Sequence, residues 1–144
     1  MKTIQKSVLV PYNINQIFDL VNDVANYPAF LPWCSKTEIL KQNEHSQDAI
    51  MHIDYLKIRQ SLSTHNVNIR PTQIRMSLLD GPFNSLEGDW HFTPIANIGC
   101  KIDFNLTYEF TNSILSAVIA PVFNLIADSM VDAFIKEADK RYDE

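Results

Sequence analysis

Ten consecutive residues, Lys101 to Phe110 (KIDFNLTYEF), alternate without exception between polar and apolar side chains. Lys101, Asp103, Asn105, Thr107 and Glu109 fall on one side; Ile102, Phe104, Leu106, Tyr108 and Phe110 fall on the other. Successive side chains of a strand point to opposite faces, so this period specifies a strand with one wet face and one buried face. A slip of one residue would turn every apolar side chain out to water, which fixes the register as well. Residues 85–93 repeat the pattern more weakly, with Leu86, Gly88, Trp90 and Phe92 opposite Glu87, Asp89 and His91. A half-wet antiparallel sheet is the result, and its apolar face needs a cover.

Segments of helical period supply that cover from the two ends of the chain. Asn13 is placed to cap a short helix that carries Ile14, Ile17, Phe18, Leu20 and Val21. A second helix is expected from about Asn112 to Lys140, capped by Thr111 or Asn112, and at 1.5 Å per residue it would run roughly 40 Å. Its apolar positions, among them Ile119, Phe123, Ile126, Met130 and Phe134, make a stripe wide enough for a curved surface. Pro121 predicts a kink or a restart near residue 117. Between the helices the sequence reads as strands. Residues 3–10 stop at Pro11, 36–42 and 47–56 form a hairpin about Asn43-Glu44, 57–68 and 72–79 continue the meander, and Asp80-Gly81-Pro82 turns the chain. Ile74, Met76 and Leu78 share one face. The 144 residues are read as one α+β domain, 1–144, a length that buries roughly 68–70% of the unfolded surface.

Val21 to Cys34 (VNDVANYPAFLPWC) is the segment that points to a ligand. Pro28 and Pro32 fix φ and remove two backbone donors, so it cannot be one regular helix. A rigid aromatic connector with an aromatic exposed beyond Pro32 is a natural mouth for a cavity. Tyr27, Phe30, Leu31 and Trp33 would gate it, with Tyr or Trp donating to a ring carbonyl. Met51, Ile53, Tyr55, Trp90, Phe92, Phe104 and Tyr108 from the sheet, and Phe123, Met130 and Phe134 from the helix, would line an apolar interior. The competing expectation is that the same residues fill a solid core.

Charge and residue chemistry exclude other classes. A net charge of -5 argues against a protein whose main business is a phosphate backbone, and DNA binding is not expected. Lys57, Arg59, Arg70 and Arg75 sit in neighbouring segments and would form a local basic patch if they converge; solvated strand edges are the plainer expectation. His45, His52, His65 and His91 have no metal-ligand spacing, three glycines leave no phosphate-cradling loop, and no nucleophile motif occurs. Asp54 and His52 share strand parity and are the weak candidates for cavity catalysis. Cys34 and Cys100 are expected as free thiols. Val8 to Val10 is too short for the core of a signal peptide, so a cytoplasmic location is expected.

The order strand, helix pair, antiparallel sheet, long terminal helix resembles the helix-grip fold of START-like domains. More narrowly, NDVANYPAFLPWC (22–34), LLDGPFNSLEGDWHFTP (78–94) and YEFTN (108–112) resemble the coenzyme Q-binding and ribosome association toxin family, bacterial branch. The likeness runs over essentially the whole chain. Trp33 departs from the small residue expected in bacterial relatives. The resemblance implies a curved sheet of about seven strands around the long helix, with an apolar cavity between them. It implies, as partner, ubiquinone or a related isoprenoid quinone or other lipid, bound as a ligand in support of respiration and not as a redox cofactor. It implies, alternatively, a toxin that binds the large ribosomal subunit and blocks subunit joining and translation initiation, with Lys57, Arg59, Arg70 and Arg75 as the candidate ribosome contact. A transient contact with the inner membrane surface fits the first role, and a cyclase-like or hydratase-like enzyme is the weakest reading.

Overall fold

A computed structural model describes residues 1–142. β1 (Lys2–Val10) leads to α1 (Ile14–Asn22), a single 3-10 turn (Val24–Asn26) and the one-turn α2 (Tyr27–Phe30). Six strands follow: β2 (Cys34–Gln42), β3 (Ser46–Tyr55), β4 (Ile58–Ile69), β5 (Gln73–Asp80), β6 (Phe83–Ile95) and β7 (Gly99–Phe110). α3 (Ser113–Tyr142) closes the described chain. All neighbouring strands are antiparallel, in the order β1-β7-β6-β5-β4-β3-β2, so the N-terminal strand returns beside the last one. This is the α+β helix-grip architecture with seven strands.

Local chemistry explains the boundaries. Asn13 caps α1 with its side chain accepting from the Asn15 N–H at 2.7 Å, while the Gln16 side chain accepts from the Asn13 N–H at 3.2 Å. Asn112, of the two residues proposed, caps α3 by accepting from the Leu115 N–H at 2.8 Å. Asn43 Oδ1 takes the N–H groups of His45 and Ser46 and so shapes the β2–β3 turn. The restart expected near residue 117 does not occur: α3 is helical from Ser113 to Tyr142 with Pro121 inside it. Both Pro121 and Ala117, whose carbonyl loses its helical partner, lie on the exposed side, where water can satisfy that oxygen.

The strict alternation of β7 is realised residue by residue. Ile102, Phe104, Leu106, Tyr108 and Phe110 are buried, as are Leu86, Trp90 and Phe92 beside them. α3 lies across this face through Ile119, Phe123, Ile126, Val131 and Phe134. Between β5 and β6 the ladder runs only from Gln73↔His91 to Ser77↔Glu87, so towards the Gly81-Pro82 turn these two strands pair with β4 and β7 but not with each other.

Candidate functional site

The interior between sheet and α3 is closed by its own side chains. Trp90 lies 4.4 Å from Phe104 and 5.4 Å from Phe134, ring centre to ring centre. Phe134 meets Tyr27 at 5.3 Å and Phe30 at 5.5 Å, which pins the connector to the helix. At the far end Phe123 packs on Phe83 and Tyr108 at 5.1 and 4.8 Å. The Tyr108 hydroxyl donates to Asn124 of α3, and burial pushes its pKa up to about 12. Between sheet and helix lies a fissure with about 10 Å³ of free space, walled by Ile53, Ile58, Leu62, Phe83, Ile119 and Phe123 among others. That is room for about one water, against roughly 300–1,000 Å³ for a ligand pocket.

The aromatic expected beyond Pro32 does not stand in solvent. Trp33, expected to stand exposed beyond Pro32, is 2% exposed, and Tyr27 and Leu31 are buried with it. The segment folds back because its apolar residues have more to gain from α3 than from water. Tyr27 donates its hydroxyl to the Val21 carbonyl, and burial raises its pKa. Thr37 of β2 holds the Val24 carbonyl at 3.0 Å. Phe30 remains half-buried under the Arg141 guanidinium, 5.5 Å from its ring. Phe30, Trp33 and Tyr55 do share an open groove of about 570 Å³ with Leu125, Lys136 and Lys140 of α3. Ile53 and Phe123 reach the fissure, Met51 and Met130 are half-buried, and Trp90, Phe92, Phe104, Tyr108 and Phe134 are core.

Several buried polar groups were invisible to the alternation pattern. Gln47, Ser63 and Asn66 are buried in β3 and β4, and the Trp33 indole nitrogen, Gln47 Oε1 and Asn68 Oδ1 have no protein partner. Amide residues in strands read as solvent-facing by composition, and only the pairing Gln47↔Asn66 places them inside.

The basic residues do not converge. Lys57 sits in the turn before β4, and Arg70 follows the strand's other end, with Arg59 one residue into it. Arg59 and Arg70 are eleven residue steps apart along an extended chain, about 36 Å at the usual rise. Arg59 pairs with Asp54 at 3.5 Å, and Arg75 is exposed on β5 opposite Val67. Arg70 binds Asp19 at 2.5 Å and stacks 4.4 Å over Phe18, so it ties α1 to the sheet.

The outer face of the sheet holds the histidines with carboxylates. His52 lies between Glu38 (2.7 Å) and Ser61 (3.1 Å), His65 meets Asp48 at 2.5 Å, and His91 meets Asp89 at 2.8 Å. The bond from His52 holds the Glu38 carboxyl below its usual pKa. Asp54 is exposed on this outer face, not at a cavity edge, because its parity is opposite to that of Ile53. Among the described residues no group of three or more His, Cys, Asp or Glu side chains could hold a metal ion. Cys34 and Cys100 are free and buried, and burial raises both thiols, Cys34 to about 11.

A curved antiparallel sheet gripping one long C-terminal helix defines a START-like protein. A START superfamily protein from Mycobacterium smegmatis superposes with a TM-score of 0.75 at 17% identity, over 96% of this chain and 95% of that one. A family model described as polyketide cyclase / dehydrase and lipid transport matches residues 10–135, and the chain belongs to that family. Among its relatives, the ribosome association toxin RatA of Pseudomonas aeruginosa is 39% identical over 139 residues, 96% of both chains. The mitochondrial coenzyme Q-binding protein COQ10 of Drosophila melanogaster is 28% identical, over 94% of this chain and 58% of that protein.

Proposed function

We propose that this chain acts as a ribosome-associating protein of the RatA type, binding the large subunit and hindering subunit joining. Its observational support is the packing between sheet and α3, where the fissure walled by Ile53 and Phe123 holds about 10 Å³ of free space, too little for a bulky ligand. The near full-length likeness to a ribosome association toxin supports a ribosomal partner, met through the outer surface. With basic residues dispersed, docking would rest on shape and on scattered polar contacts, not on one phosphate-binding patch. The histidine–carboxylate pairs are read as exposed ladders of the sheet and not as a catalytic centre, so no enzymatic role is proposed. The test is sucrose-gradient sedimentation with ribosomes and separated subunits. Co-migration with the large subunit and a loss of joined ribosomes on addition of protein are expected; an unchanged profile with the protein left at the top would overturn the reading.

A second reading is favoured by one observation. Trp33, Phe30 and Tyr55 line an open groove that would admit a flat, weakly polar ring, and the Trp33 indole nitrogen, buried behind that wall, would meet a ring carbonyl only after its covering side chains move. An isoprenoid quinone fits that description, and each buried CH₂ of its tail contributes about 0.8 kcal/mol. Organic extraction of the purified protein and mass spectrometry test it: quinone near stoichiometry supports this reading, and an empty extract with no uptake of added quinone removes it.

A further inference from the structure

α3 is uncharged through its first half, with an apolar side towards the sheet and a second one turned away from it. From Ser113 to Ala127 it carries no ionisable side chain. Ile119, Phe123 and Ile126 face the core, whereas Ile114 (76% exposed), Ala117, Val118 (58%), Pro121 and Leu125 (56%) face outward. At 100° per residue these five outward positions fall within one stripe about 100° wide. The same stripe turns polar further along, at Asp128, Asp132 and Lys136. By length and composition α3 could cross a bilayer, but a buried core face along its length and charges in its second half make it a helix that lies on a surface.

The neighbouring strands extend this apolar face. Ile58 shares the fissure with Ile119 and Val122, and Tyr55 shares the groove with Leu125, so the β3–β4 turn lies against the first half of α3. The tip of that turn is Leu56, 59% exposed, followed by Lys57, both with positive φ. On the other flank Lys2 borders the depression that holds Ser113, Ser116 and Ala120, together with one carboxylate, Glu109. Lys6 and Asp128 neutralise each other at 3.0 Å where the stripe changes character. An uncharged centre with lysines at both sides is the pattern of an element that rests in the headgroup region of an anionic bilayer.

We infer that the first half of α3 and the Leu56-Lys57 tip form a docking surface for an anionic lipid bilayer. A handful of apolar side chains is far from the roughly 800 Å² per partner that a stable protein interface needs, and they provide no charge or hydrogen bond to select a protein. The same number of side chains suffices for reversible partitioning into a membrane, because burial of each aliphatic group adds directly. Ile58, two residues after the tip, walls the apolar fissure together with Ile119 and Val122 of α3.

Flotation with vesicles of phosphatidylglycerol and phosphatidylethanolamine tests the surface, with phosphatidylcholine vesicles as the uncharged control. The intact chain is expected to float with the anionic vesicles and far less with the control. Ile114→Glu combined with Val118→Glu, at exposed positions, should lower binding roughly tenfold or more while leaving the circular dichroism melting curve in place; Leu56→Glu tests the tip separately. Failure of the intact chain to float, or equal flotation of the double variant, overturns the inference. So does a dimer in light scattering that the double variant abolishes while neither protein floats, since the face would then belong to a second copy of the chain.

Discussion

Phe134→Ala separates a filled interior from a ligand tunnel. Phe134 is 3% exposed, and its ring meets Trp90, Tyr27 and Phe30, three rings from the sheet and the connector. In a packed core, removing such a ring costs about 3–5 kcal/mol, of which the lost edge-to-face contacts are a part. That is a large share of the roughly 5–15 kcal/mol that holds a domain of this size. With a urea slope of about 2 kcal/mol per M, the unfolding midpoint should fall by about 2 M. Tryptophan fluorescence reports it, because Trp90 stands against the deleted ring. In a tunnel that already holds solvent or ligand, the truncation leaves no new void and costs much less. A loss below about 1 kcal/mol would therefore refute the filled-core reading on which the ribosome proposal leans.

Raising the pH should destabilise the fold. Burial raises the acid groups Cys34 (from 9.0 to about 11), Tyr108 (from 10.0 to about 12), Tyr27 and Cys100. The folded state then keeps protons that the unfolded state releases, so the contribution of these four groups is level well below pH 9 and falls as pH climbs from 9 through about 11. Thermal midpoints measured across that range should drop steadily; a flat or rising series refutes the assignment. The two glycines of the β6–β7 region should respond differently to alanine. At Gly99 (φ 148°) a Cβ would stand 2.1 Å from the Val10 carbonyl oxygen, so about 3 kcal/mol or more of stability should be lost. At Gly88 the clash is with the end of the flexible Met76 side chain, and differential scanning calorimetry should show a smaller loss of about 1–2 kcal/mol. Arg70→Ala removes both the Asp19 bond and the stack on Phe18, and chemical denaturation should show a loss of about 1 kcal/mol without altered ribosome sedimentation. Altered sedimentation would return Arg70 to the docking surface.

Much of the architecture was legible because it follows from local periods. The ten-residue alternation of β7 had only one way to bury its apolar half, and the Asn caps marked both long-range covers, α1 and α3. The connector shows where such reasoning stops. Two prolines and three aromatics do forbid a regular helix, and the structure has a 3-10 turn and one turn of α-helix there. Whether Trp33 faces solvent depends on how α3 lies over the sheet, which no local pattern contains. The basic residues show the same limit: Lys57 to Arg75 are close in sequence, but an extended strand of twelve residues carries Arg59 and Arg70 to opposite ends.

The sequence alone determined the strand and helix inventory and the inward faces of β6 and β7, because these rest on spacing of one to four residues along the chain, while three longer motifs carried the family resemblance. Tertiary structure decided the rest. Packing of Phe134 among Tyr27, Phe30 and Trp90 closed the interior, and pairing of β3 with β4 buried Gln47 and Asn66. The seating of α3 left Ile114, Val118 and Leu125 uncovered. Each outcome depends on volume and contact between elements distant in sequence, and close packing admits only one arrangement of them at a time.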